Sequence, residues 1–143
     1  MSPDGVLVIG YGSELRGDDA AGPVAARRLA EHGFRTLAVH QLTPEIAEAI
    51  ASARVVFFID ADTAVPPGEA SLNRVAASSG PPERRAFEHH ASPAGLLNLA
   101  KAAYGASPEA WFVGLGVGSF EIGEQLSPAA EEAIARAVAA VSH

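Results

Sequence analysis

The sequence predicts an α/β protein, a three-layer α/β/α arrangement with a mostly parallel sheet of about five strands, in a single domain over residues 1–143. Three observations carry this. Short apolar runs alternate with helical segments along the chain, the pattern of a sheet whose crossovers are helices. The runs are apolar at consecutive positions, as in strands buried on both faces. Ser/Thr-Pro pairs recur where helices are due to begin, a hydroxyl cap followed by a proline whose missing N–H has no partner in a first turn.

The elements follow in order. VLVIG (6–10) is the first strand, and the glycine-rich GYGSELRGDDAAG (10–22) leads from it into a helix. In that helix Ala21, Val24, Ala25 and Leu29 fall at helical spacing. RTLAVHQL (35–42) and RVVFFID (54–60) are the second and third strands. EASLNRV (69–75) is a weaker fourth, expected at an edge, and AWFVGLG (110–116) is the fifth. Thr43-Pro44, Ser92-Pro93 and Ser127-Pro128 each mark a helix start. The last helix places Ala130, Ile134, Ala137, Val138 and Val141 on one stripe. AVPPGEA is a turn, and ASSGPPERRAFEHH (77–90) is a polar loop long enough to be functional or mobile.

Composition excludes several classes. A net charge of −7 with scattered Lys and Arg argues against a nucleic-acid surface, which needs clustered cations. No apolar run approaches the ~20 residues of a membrane span. With no Cys there is no disulfide, thiolate nucleophile or zinc–sulfur site. MSPDG lacks the basic-then-apolar pattern of a signal peptide. The expectation is a cytoplasmic monomer without nucleic-acid or membrane partners.

The loop at 10–22 resembles a dinucleotide fingerprint only in part. Gly10 and Gly12 are in place, but Leu15 takes the third glycine position. Asp18 and Asp19 fall where a pyrophosphate would accept backbone N–H groups, and would repel it. A phosphate loop ending G-K-S/T is absent. Helix capping accounts for Asp18 as well as chemistry does; Asp19 beside it is redundant as a cap. Ligands of open parallel sheets bind beyond the carboxyl ends of the strands. Asp60 closes the third strand after an apolar run, in FFIDAD, where a carboxylate is costly unless backbone N–H groups or a cation compensate it. Asp62 reads as a loop residue. His89 and His90 stand just before a helix start in HHASPAGLL. Two acids and an imidazole could make a cation site of nitrogen and oxygen ligands, although a lone loop histidine is usually solvated. No G-x-S-x-G or H-E-x-x-H occurs, and Ser13 and Ser119 lack a base.

Together these motifs resemble the hydrogenase maturation proteases, endopeptidases that trim a C-terminal extension from the large subunit of nickel–iron hydrogenases. GYGSELRGDDAAG is similar to that family's opening G-x-G-N-x-L-x-x-D-D/E-x-x-G. IDAD resembles its second acidic site, HHASPAGLL its histidine before a helix, and WFVGLGVGSFEIGEQLSPAAEEAI its last strand, glycine turn and closing helix. Ser13 departs from the usual asparagine and Ala20 from a common glycine. The resemblance implies that Asp19, Asp60 and His90 contact a metal. His90 is preferred because the family's histidine sits three residues before the helix-opening proline, here Pro93; His89 is the alternative. It implies that nickel already inserted in the precursor is what is recognised, so that the nickel arrives with the substrate rather than being held by the free enzyme. It leaves Asp19 or Asp60 as the base. The glycines then let the loop turn tightly, and its acidic tip meets a cation. Two other readings stand beside this one, a non-catalytic paralogue that docks on hydrogenase and a flavodoxin-like small-molecule binding module.

Overall fold

The computed structural model describes residues 1–77, 92–118 and 125–143. Among these residues, five strands form one sheet in the order β2-β1-β3-β5-β4. The strands are β1 (Val6–Tyr11), β2 (Arg35–Val39), β3 (Val55–Ala61), β4 (Ala70–Arg74) and β5 (Glu109–Leu115). The helices are α1 (Ala21–Ala30), α2 (Ile46–Ala51), α3 (Pro93–Tyr104) and α4 (Pro128–Ser142), with a 3-10 turn at Gly17–Ala20 ahead of α1. β1 pairs with β2 and β3, and β3 with β5, all parallel; β4 closes the far edge antiparallel to β5. All five expected strands are present within a few residues of their expected bounds. The long loop expected at 77–90 lies, beyond Ala77, outside the described residues.

The consecutive apolar runs have the meaning given to them above: they divide between two cores. In β1, Val6 and Val8 enter the core under α1 and α4, while Leu7 and Ile9 enter the one under α2 and α3. In β3, Val55, Phe57 and Ile59 join the first and Val56 and Phe58 the second. A strand with both faces covered has no polar phase, hence the absence of alternation. Among the described residues no helix is long and apolar enough to cross a membrane.

Ser92 and Ser127 cap α3 and α4 as expected, accepting from Gly95 N–H and Ala130 N–H, each at 3.1 Å. Thr43-Pro44 does not behave this way. α2 starts at Ile46, and Glu45 at its N-cap makes no side-chain bond. The entry is instead a tight turn, with Ile46 N–H donating to Thr43 C=O and Ala47 N–H to Pro44 C=O. These i→i+3 bonds satisfy the leading donors of a six-residue helix without a hydroxyl.

The start of α1 rests directly on the sheet. A Cβ on Gly22 would stand 2.5 Å from Tyr11 O and 2.6 Å from Ile59 O, and one on Gly10 would stand 2.0 Å from Gly22 O. Gly→Ala inside a helix ordinarily gains up to ~1 kcal/mol. Here the sign reverses, because the obstruction is backbone on both strands. Gly22→Ala is expected to cost about 3 kcal/mol, measured as a lowered midpoint in chemical denaturation.

Candidate functional site

The strand order reverses between β1 and β3, whose neighbours lie on opposite sides. Connections leaving these two strands part in opposite directions, opening a crevice at their carboxyl ends. Asp60 is the penultimate residue of β3, and Asp19 sits in the 3-10 turn that follows β1. Both line one cleft of about 520 Å³, together with Tyr11, Ser13, Arg16 and His40.

Asp19 is aimed by its own loop. Gly12 adopts φ 144°, and a Cβ there would lie 2.0 Å from Asp19 O, so the strand end and the turn close on each other through a glycine. Ser13 N–H donates to Asp19 Oδ2 at 3.0 Å, and Ser13 Oγ accepts from Leu15 N–H at 3.3 Å. The departure from asparagine at position 13 thus leaves the loop closed on itself and Asp19 half-buried in the cleft.

Asp60 is raised from 3.8 to about 7, first by burial and then by the charges of Asp19 and Asp62, against a hydrogen bond from Ala61 N–H. The two acids are therefore close enough for the Asp19 charge to be felt at Asp60, which gives up its proton reluctantly. Burial also holds the Tyr11 phenol above its ordinary range, reinforced by Asp60 and Asp62. Such a cleft favours a cation over an anion. Asp62 is a turn residue as expected, its Oδ1 accepting from Ala64 N–H at 3.0 Å.

The Asp60 shift has a consequence for stability. Between pH 3.8 and about 7 the folded protein keeps a proton that the unfolded chain has released. Stability therefore falls as pH rises through that window and is lowest above it. Asp60→Asn is expected to raise Tm by ~3–6 °C at pH 8 and to leave it nearly unchanged at pH 4. This corresponds to about 1–2 kcal/mol once solvent screening is allowed for. Thermal melts of both proteins across pH 4–8 check it.

Asp18 does something else. It is fully buried, and its carboxylate reaches across the molecule. Oδ1 accepts from Ser127 N–H and Oδ2 from Gly118 N–H, each at 2.7 Å, and Ser127 Oγ–H donates to Oδ2 as well. The 3-10 turn has no side-chain cap at Arg16, and the described bonds of Asp18 all run to residues far along the chain. Asp18 fastens the glycine turn after β5 and the start of α4, where the dipole of a long helix favours an anion. The expected local cap is thus replaced by a long-range one.

His89 and His90 lie outside the described residues. Among the described residues no three His, Asp or Glu side chains come together as a metal-holding group. Asp19 and Asp60 meet in the cleft, but any third protein ligand must come from elsewhere. His40, directly after β2, was not singled out from the sequence; it reaches the cleft because β2 lies beside β1. Its only sequence signal is a histidine closing an apolar run, in LAVHQL.

No protein-family model and no curated protein matches the chain. Solved structures do. The NiFe hydrogenase maturation protease HybD of Thermococcus kodakarensis superposes with a TM-score of 0.73 and 26 % identity over 95 % of each chain. The hydrogenase-maturating endopeptidase HybD of E. coli gives 0.68 and 24 %, over 95 % of this chain and 88 % of its own. A hydrogenase 2 maturation peptidase from a Thaumarchaeota archaeon gives 0.66 and 24 %, over 95 % and 94 %. The latter two speak for the fold; the Thermococcus protein adds a likeness of sequence that runs nearly end to end in both chains. On these grounds the chain shares the fold of the hydrogenase maturation proteases and, with one of them, a likeness of sequence.

Proposed function

We propose that the protein is an endopeptidase that removes the C-terminal extension of a nickel-loaded nickel–iron hydrogenase large-subunit precursor. The observation that carries this is the meeting of Asp19 and Asp60 in one cleft at the switch point of the sheet. Three solved structures of this fold are named as proteases or peptidases of hydrogenase maturation.

The cleft suits a substrate-borne cation. Two carboxylates and a histidine without thiolate hold free nickel weakly, so affinity rests on ligands that the precursor brings with its metal. An empty precursor then binds poorly, which makes the shared ion a test of whether nickel insertion is complete. Asp19 and Asp60 supply the oxygen donors, and His90 the nitrogen donor. The nickel lends the cleft charge that draws the precursor's tail toward the acids. Asp60 is suited to take a proton from an attacking water. Asp19 holds the charge opposite it.

The test is mass spectrometry of precursor incubated with the protein, with nickel-free precursor in parallel. Loss of a C-terminal peptide from the nickel-loaded form alone is the expected result. Binding to the precursor without cleavage would leave a docking protein in place of a protease. Equal cleavage of both forms would remove nickel from the recognition step.

A further inference from the structure

The two edges of the sheet differ. β4, at one end, carries Asn73 and Arg74, and the Arg74 guanidinium lies 5.4 Å from the Trp111 ring centre. An edge with a charged, occupied side chain resists pairing with another strand. β2, at the other end, reads RTLAV and has its one charge at its first residue. It contains no Pro, and no bulge interrupts its register with β1. Among the described residues nothing pairs with its outer side.

Which groups face outward follows from the ladder. Val39 C=O accepts from Gly12 N–H at 3.1 Å, so Val39 is turned toward β1. Backbone groups alternate sides along a strand, which leaves Thr36 and Ala38 presenting N–H and C=O to the free side. On the α2 face, Leu37 and Val39 are half-buried and, with Ile46 and Ala49, line a groove of about 480 Å³ between β2 and α2. Beyond Val39 the chain continues into His40 and Gln41, both in the wall of the acid cleft. Backbone donors, a groove lined by apolar side chains and by Arg35, Glu45 and Glu48, and the cleft thus follow one another along β2 and the residues after it.

We propose that the outer edge of β2 takes an extended segment of the protein substrate as an added strand and leads it into the acid cleft. This rests on the protease reading for its partner. An extended segment satisfies the Thr36 and Ala38 backbone groups, and its alternate side chains enter the groove at Leu37 and Val39. A docked helix would fill the groove but leave the strand's donors unpaired. Main-chain pairing supplies affinity for a tail of many sequences, while the metal-seeking cleft supplies the choice.

Ala38→Pro tests this, because Ala38 is exposed and its N–H faces outward, where an edge strand tolerates proline. Leu72→Pro is the matched control. Val75 N–H donates to Ala110 C=O, which places Leu72 on the outward phase of β4. Binding of nickel-loaded large-subunit precursor is measured for wild type and both variants, with thermal melts alongside. Ala38→Pro is expected to weaken binding about tenfold, and Leu72→Pro to leave it as in wild type. Pulse hydrogen exchange on wild type, within seconds of mixing, is expected to show the Thr36 and Ala38 amides newly protected. Equal binding by wild type and Ala38→Pro overturns the proposal, and so do unprotected amides at 36 and 38. If Ala38→Pro does not fold, the exchange measurement decides alone. Precursor that binds but is not cut refutes the protease and leaves the edge to be judged by these same data. Precursor that does not bind overturns both.

Discussion

Asp19→Asn is expected to lower kcat/KM for peptide release by about 10²–10⁴-fold, with Tm changed by no more than ~3 °C. The two halves of this result have separate causes. Asp19 makes one described side-chain bond within the fold, accepting from Ser13 N–H at 3.0 Å. An asparagine oxygen can accept the same bond, so the loop stays closed and the Gly12 turn keeps its shape. The lost charge is what matters. Under the proposed function, one of the two carboxylates assigned to the substrate's cation becomes neutral, and an amide oxygen is a weaker donor to a metal than a carboxylate. The change also reaches Asp60. Asp19 is one of the charges holding the Asp60 carboxyl up near 7, so in the variant that group should titrate lower. The acid limb of the pH–rate profile, read on whatever activity remains, should move down with it. A profile that keeps its acid limb in place would mean that the two acids are not coupled in the working enzyme. Full activity in the variant would remove Asp19 from the site.

Much of this arrangement could be read from the residues because it depends on short stretches of chain. VLVI and VVFFI are apolar at every position, and only a strand covered on both faces asks for that; β1 and β3 are such strands. Ser92-Pro93 and Ser127-Pro128 sit in front of long helices, where a hydroxyl has an orphan donor three residues ahead. Asp60 stood out because a carboxylate closing a buried strand needs a reason. The parts that stayed hidden depend on strand order and on distant partners. His40 belongs to the cleft only because β2 packs beside β1, and nothing near His40 encodes that neighbour. Gly10 and Gly22 read as turn glycines, whereas their contact with each other across the start of α1 is what requires them. Thr43-Pro44 has the same local chemistry as the two serine caps, but the helix behind it is short enough for backbone turns to satisfy its donors.

Asp18 is the sharpest case, and its replacement carries the largest expected effect on stability. A window of a few residues shows an acid at the head of a helix and suggests a cap. The groups that Asp18 binds are 100 and 109 residues away. Among the described residues its two oxygens accept from two backbone N–H groups and one hydroxyl, in a site closed to solvent. Hydrogen bonds to a charged acceptor contribute about 1.5–3 kcal/mol each, and a buried donor left unpaired costs about 1–3. Asp18→Asn keeps the volume but replaces one acceptor oxygen by an amide donor. Ser127 Oγ can turn to accept, yet one backbone N–H must then face an N–H. The expected cost is about 3–4 kcal/mol, or roughly 10 °C in Tm for a chain of this length. Adjacent isosteric changes should therefore separate cleanly: at Asp19 activity falls and stability holds, while at Asp18 stability falls first. Because Gly118 and Ser127 frame the glycine turn and the start of α4, the loosening in Asp18→Asn should appear in amide exchange at the first turn of α4 before it spreads to the sheet. Wild-type exchange there, in a variant with an unchanged melt, would show that the three bonds contribute little and that burial alone holds the turn in place.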